Sequence, residues 1–237
     1  MNRLLAMATP LPYVPETRFG TWFLATETWR IHVLRWALDD LEHLEPELPK
    51  GGRVVDIGAG QGHSLNELAA RFQPDELVAF DADPHFQQRI EACRQACPIP
   101  VRVQQSPAEA IPLPDGSVSL ILCHQTLHHI VNQEQALQEM FRVLQPGGAL
   151  LLAESTRRYI YNWLIRLLFR HPMHVHRTAP EYLAMVRQAG FEVREDRVSC
   201  PYRWWSRPDI GFLEWIGLPV PEVREETLVN LVARKLL

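Results

Sequence analysis

Cysteine is scarce in this chain of 237 residues, with four in all, at positions 93, 97, 123 and 200. Cys93 and Cys97 stand four apart in a helix-like stretch, a spacing that suits neither a zinc pair nor a disulfide framework. A reducing, cytoplasmic setting is therefore expected. Positive charge is not in surplus either. Lys and Arg number 24 against 28 Asp and Glu, for a formal net charge of −4, and no long basic run occurs. That balance argues against a non-specific grip on nucleic acid, which works by neutralising phosphates. No run reaches the roughly 18 apolar residues of a membrane-crossing helix. The apolar run at 4–8 is shorter than the core of a secretion signal. Internal repeats and low-complexity tracts are absent as well. What remains is a chain with 46% hydrophobic and 22% charged residues. Such a chain packs, and its length suits one α/β domain with an extension.

Residues 1–20, punctuated by Pro10, Pro12 and Pro15, read as an irregular arm. Apolar Ile31, Leu34, Leu38 and Leu41 recur at helical spacing and predict a helix over 21–44. Trp22, Trp29 and Trp36 add a seven-residue stripe, read as packing on the sheet or a partner. Short apolar runs then alternate with amphipathic ones. Strands are expected at 53–57, 77–80, 101–103, 119–123 and 149–153, with helices at 64–72, 84–96 and 133–144 between them. This alternation implies crossover connections and a doubly wound α/β sheet with helices on both faces. Thr178 and Glu181 form a capping box, and Gly190 stops the helix that it opens. Strands are expected again at 191–198 and 228–236. Residues 1–50 read as an arm and helix covering the site. Residues 51–237 read as the binding domain, with lid insertions at about 155–177 and 199–227.

The strongest local signal is Val54-Val55-Asp56-Ile57-Gly58-Ala59-Gly60-Gln61-Gly62. A buried strand enters a turn where glycines let the backbone bend and a ligand approach, and a helix start follows. Asp81 closes the second strand about 20 residues past the turn, where an acid accepts both hydroxyls of a ribose. The two signals together describe a nucleoside site. A dinucleotide fingerprint needs a third glycine at position 63, which here is His63. Asp56 disfavours a pyrophosphate but suits an α-ammonium group. S-adenosylmethionine carries an ammonium, a ribose and no phosphate, so the charges favour it over a nicotinamide dinucleotide.

At these residues the chain resembles the Rossmann-like S-adenosylmethionine-dependent methyltransferases of the small-molecule group. VVDIGAGQG (54–62), VAFDADP (78–84), AEAIPLPDGSVSLILCHQTLHHI (108–130) and ALQEMFRVLQPGGALLLAE (136–154) match its motifs in order, and TAPEYLAMVRQAGFEV (178–193) matches a later helix-strand unit. The resemblance implies a mostly parallel seven-stranded sheet with an antiparallel last strand. It implies that Asp56 lies near the methionine ammonium, and that Gly58, Ala59, Gly60 and Gly62 shape the loop beneath. It further implies that Asp81 holds the ribose, Ala82 backs the adenine, Ala108 and Glu109 line the adenine edge, and His124 borders cofactor and acceptor. Two positions depart from the family's pattern: Pro107 stands where Asp often bonds the adenine amine, and Val118-Ser119 opens the fourth strand in place of Phe-Asp.

Methyl transfer from a sulfonium is an in-line displacement, so the protein mainly aligns the reactants and excludes water. A base is needed only where the acceptor must lose a proton. Among ten histidines, His124 is the base candidate by position. His128, Trp204 and Trp205 are expected to line the acceptor, which is read as small and of hydrophobic or aromatic character. The His171, His174, His176 run has no neighbouring Cys or carboxylate to complete a set, so no metal is assigned. Ile160, Trp163, Leu164, Leu167 and Leu168 are expected on one helical face that covers the site or a dimer contact. Contact with a membrane surface stays open beside that reading, as does monomer or homodimer. The competing function is a non-catalytic S-adenosylmethionine-binding partner or membrane-associated subunit.

Overall fold

The structure is a computed structural model that describes residues 14–209, 211–219 and 225–236. Pro10 and Pro12 of the expected arm, and parts of the 199–227 connection, lie outside the described residues. The elements of the described residues begin with α1 (Arg18–Leu24), α2 (Glu27–Trp29), a π-helical turn (Arg30–Arg35) and α3 (Trp36–Leu44). Next come β1 (Arg53–Ile57), α4 (His63–Phe72), β2 (Glu76–Asp81), α5 (Phe86–Ala96), β3 (Val101–Gln105) and β4 (Val118–His124). They are followed by α6 (Gln133–Val143), β5 (Leu144–Ser155), α7 (Arg157–Ile160), α8 (Trp163–Leu168) and α9 (Ala179–Gln188). β6 (Val198–Ser199), α10 (Phe212–Trp215) and β7 (Leu228–Arg234) complete the fold.

The seven strands form one sheet in the order β3-β2-β1-β4-β5-β7-β6. β1 to β5 pair in parallel, and β7 runs antiparallel between β5 and β6. The doubly wound sheet with an antiparallel final strand is thus as the sequence reads. Period-two alternation sorts each strand between two cores. Val55, Ile57, Val78, Phe80, Ile121, Cys123, Leu150 and Leu152 pack with α6 and α9. Val54, Leu77, Ala79, Leu120, Leu122, Leu151 and Ala153 pack with α3, α4 and α5. Each of these side chains, buried to 2% exposure or less, contributes roughly 0.8 kcal/mol per buried methylene. Asp40 on α3 accepts hydrogen bonds from Ser199 and from Asn230 Nδ2, the latter at 2.8 Å. These bonds tie the N-terminal helices to the β6–β7 edge.

Three expectations need correction. The helix expected over 21–44 begins at Arg18 and breaks at Ala25-Thr26. The Thr26 hydroxyl accepts from Trp29 N–H at 3.2 Å and starts a second helix, as a Thr side chain competing with backbone carbonyls does. The π turn that follows rotates the register further, so the tryptophan stripe is lost. Trp22 is 60% exposed, Trp29 faces His124, and Trp36 stacks under the Arg203 guanidinium. The strand expected at 191–198 shrinks to a single bridge at Glu192 and the two residues of β6, because residues 195–197 turn as a 3-10 helix. Finally, Asn162 caps α8 through the Leu164 N–H at 3.0 Å. That cap splits the expected apolar face, leaving Ile160 buried and Trp163 72% exposed.

Candidate active site

The chain leaves β1 toward β2 on one side and β4 toward β5 on the other. In an open parallel sheet this divergence makes a crevice at the carboxyl ends of the two strands. A cavity of about 620 Å³ lies there. The alternation that sorts the cores also aims the polar residues. Asp56, Asp81 and His124 share strand parity with Val54, Leu77 and Leu120, so all three project on the α3–α5 side, and all three line the cavity.

Asp56 is buried and accepts a hydrogen bond from the Ser64 hydroxyl on α4. Burial pushes its carboxyl up to about 7, the Ser64 hydrogen bond opposes this, and the nearby Asp81 adds to it. Asp81 accepts from Gly60 N–H and from Asp83 N–H, each at 2.9 Å. Burial raises its carboxyl too, against those two bonds. Each Asp81 oxygen keeps a second lone pair for a ligand hydroxyl.

Two glycines in the turn serve different ends. Gly58 has φ +77°, and a Cβ there would sit 2.1 Å from Thr126 Oγ1. Gly60 has φ +49°, and a Cβ there would meet nothing closer than the Gly58 carbonyl at 3.9 Å. The space over Gly60 belongs to the cavity. Gly62 is not a lining residue; it packs under Ile90 of α5. The other residues expected at the cofactor, Ala59, Ala82, Ala108, Glu109 and His124, all line the cavity.

The His124 ring stands edge-on to Trp29 at 5.3 Å. Burial lowers its pKa to about 3, with His128 adding to the effect. On the opposite face of the sheet lies a group that the sequence reading overlooked. Glu154, fully buried, accepts Thr126 N–H at 2.8 Å and Leu127 N–H at 2.6 Å through Oε1. Its Oε2 is 2.5 Å from His128 Nδ1. Burial pushes the Glu154 carboxyl up and the His128 imidazole down. Through its hydrogen bonds Glu154 fixes the turn after β4. Its only sequence signal is a lone acid ending an apolar strand. Gln125, also a lining residue, holds φ +51° and accepts from Ser155 Oγ at 2.5 Å.

The roof comes from three separated segments. Phe19 and Phe23 of α1 meet Phe169 edge-on at 5.8 and 5.9 Å. Thr17 Oγ1 donates to the Leu168 carbonyl at 2.5 Å, and Arg170 N–H donates to Glu16 at 2.8 Å. Trp204 and Trp205 line the cavity with His128, and Trp205 packs edge-on to Tyr159. Trp215 is 81% exposed and is not a lining residue.

The lining residues suit an adenosyl group with an ammonium tail. Among the described lining residues five are acids, Glu16, Asp56, Asp81, Asp83 and Glu109, and the one guanidinium, Arg89, is paired with Asp83 at 2.5 Å. The crevice is thus an acid-lined one at the carboxyl edge of an open α/β sheet. Comparison with known proteins finds a family match for part of the chain. Residues 55–152 match the family described as Methyltransferase domain. The chain is 36% identical over 149 residues to an uncharacterized methyltransferase-like protein of Schizosaccharomyces pombe, covering 63% of this chain and 54% of that one. It is 32% identical over 124 residues to the demethylmenaquinone methyltransferase of Deinococcus radiodurans, covering 50% of each. The match therefore spans about half the length of these curated relatives. A SAM-dependent methyltransferase from Aquifex aeolicus superposes with a TM-score of 0.65 at 18% identity, over 92% of this chain and 97% of that one. Residues 55–152 thus carry a match to a methyltransferase domain, on a sheet whose fold the Aquifex structure shares.

Proposed function

We propose that the chain transfers the methyl group of S-adenosylmethionine to a small acceptor of hydrophobic or aromatic character. The observation that carries this reading is continuity: the acid-tipped cradle and the aromatic roof line one cavity. When bound, the cofactor supplies a methyl group already activated on a sulfonium. Asp56 pairs with the ammonium and Asp81 with the ribose hydroxyls. Ala82, Ala108 and Glu109 border the adenine. The N-terminal segment to residue 50 and the segments 155–177 and 199–227 act as covers. Phe19, Trp29, Tyr159 and Trp205 exclude water and hold the acceptor in line with the methyl group, which is the larger part of what the protein must do. His124, with so low a proton affinity, acts near neutrality as an uncharged hydrogen-bonding group rather than as a base.

Calorimetry with S-adenosylhomocysteine tests the reading. Wild-type protein is expected to bind it. Asp81→Ala is expected to weaken binding about 100-fold, from two hydrogen bonds to a charged group at ~1.5 kcal/mol each. Wild-type protein that binds none of it overturns the proposal. The exposure of Trp163 and Leu167, at 72% and 68%, supports a second reading in which α8 rests on a lipid surface. Co-sedimentation with anionic vesicles, lost in Trp163→Ser/Leu167→Ser, is its test.

A further inference from the structure

Beyond the nucleoside cradle, the same cavity holds a cluster of histidines that the methyl-transfer reading leaves without a task. His128 and His129 lie in the 3-10 turn after β4, and His171 follows α8. Their rings lie 4.3 Å (His128–His129), 5.3 Å (His128–His171) and 4.9 Å (His129–His171) apart, centre to centre. One ring nitrogen from each lies within 4.8 Å of the others. All three residues line the cavity.

We infer that His128, His129 and His171 form a three-histidine site for a first-row divalent cation of the zinc class. Three observations support it. Imidazole is the ligand that Zn²⁺, Co²⁺ and Fe²⁺ favour, and three protein nitrogens with a fourth position free is a catalytic rather than a structural arrangement. The outer support is in place as well. Glu154 takes the Nδ1 side of His128 at 2.5 Å, which leaves Nε2 to ligate, and a carboxylate behind a histidine is the usual second partner of a metal ligand. Finally, His171 Nδ1 is buried with no hydrogen-bond partner, as are both ring nitrogens of the adjacent His176. Buried polar atoms left unpaired in numbers call for an occupant. Ligation at ~2.1 Å draws such nitrogens to about 3.3 Å of one another, a contraction that side-chain rotation supplies.

The run at 171–176 does not form the site by itself. His174 is exposed, and the set closes only because the turn after β4 brings two histidines under His171. The three histidines border the cavity where the acceptor is proposed to lie. There the cation would hold an oxygen, nitrogen or sulfur of the acceptor and lower its proton affinity. This role rests on the methyl-transfer reading, whereas the site does not.

The test is titration of chelator-stripped protein with Co²⁺, followed by visible d–d absorption and by metal content after gel filtration. Wild-type protein is expected to take up one equivalent with the intensity of a four- or five-coordinate ion, and Zn²⁺ should displace it. His129→Ala and His171→Ala should each weaken uptake at least about 100-fold, more than loss of an outer-sphere partner costs. Circular dichroism and S-adenosylhomocysteine binding establish that each protein is folded, with His129→Asn and His171→Asn used where an alanine variant is not. Wild-type protein that binds S-adenosylhomocysteine but no Co²⁺ overturns the metal site and leaves methyl transfer standing. Uptake unchanged in both variants overturns it as well. Uptake without S-adenosylhomocysteine binding overturns methyl transfer and leaves the metal site.

Discussion

At the scale of single residues, the protonation of Asp56 is expected to link S-adenosylhomocysteine binding to pH. The ordinary value of an aspartate is 3.8, and burial raises this one to about 7. Between those values the folded chain holds a proton that the unfolded chain has released. The associated stability is full below about 4 and is lost as pH rises through about 7. An ammonium placed against Asp56 reverses the preference, because an adjacent opposite charge favours the ionised form. Binding of S-adenosylhomocysteine at pH 6 is therefore expected to release a proton, and the release should fade by pH 8. Calorimetry in buffers of different ionisation enthalpy measures it. Asp56→Asn should abolish most of the release, and Ser64→Ala, which removes the opposing hydrogen bond, should move the midpoint upward. Proton uptake, or release indifferent to Asp56→Asn, would contradict the assignment. Asp56 and Asp81 are legible in the sequence because each sits at a fixed offset from a glycine turn or strand end. Glu154 is not, since its partners are backbone N–H groups 27 and 28 residues away.

At the scale of elements, the turn after β1 separates packing from ligand access. Alanine at Gly58 collides with Thr126 as well as straining a positive φ, while alanine at Gly60 meets only open cavity. Gly58→Ala is expected to destabilise by roughly 2–3 kcal/mol, overpacking and backbone strain together, read as a lower denaturant midpoint. Gly60→Ala should cost roughly 1 kcal/mol of stability but weaken S-adenosylhomocysteine binding about tenfold or more. Equal effects on binding and stability at the two sites would refute the distinction. The parallel strands could be read from sequence because period-two burial is a local pattern. The break at Thr26, the π turn and the cap at Asn162 could not. Each follows from a side-chain choice between competing backbone partners, and tertiary contacts decide it. The histidine cluster was hidden for a related reason: His128 and His171 lie 43 positions apart, and only the fold brings their rings together.

At the scale of the whole molecule, the cavity has a floor and a roof that are expected to differ in stability. The floor is the carboxyl edge of a sheet whose central strands are buried on both faces. The roof is three short segments joined by the Phe19, Phe23 and Phe169 rings, the Thr17 hydroxyl on the Leu168 carbonyl, the Arg170 N–H on Glu16, and the Trp205–Tyr159 pair. Segments of that kind open at low free-energy cost while the sheet stays intact. A ligand that touches floor and roof together must then stabilise the roof far more than the floor. At 100 times its dissociation constant, S-adenosylhomocysteine should add ~2.7 kcal/mol to global stability. In hydrogen exchange the added protection should concentrate in residues 14–35, 58–63 and 155–171, with little change in α9. Phe169→Ala, which removes the shared ring between α1 and the segment after α8, should raise exchange in both segments of the unliganded protein and speed tryptic cleavage at Arg170. Uniform protection across α9 and the roof on ligand binding, or an α1 segment indifferent to Phe169→Ala, would mean that the roof is part of the rigid domain and does not serve as a cover.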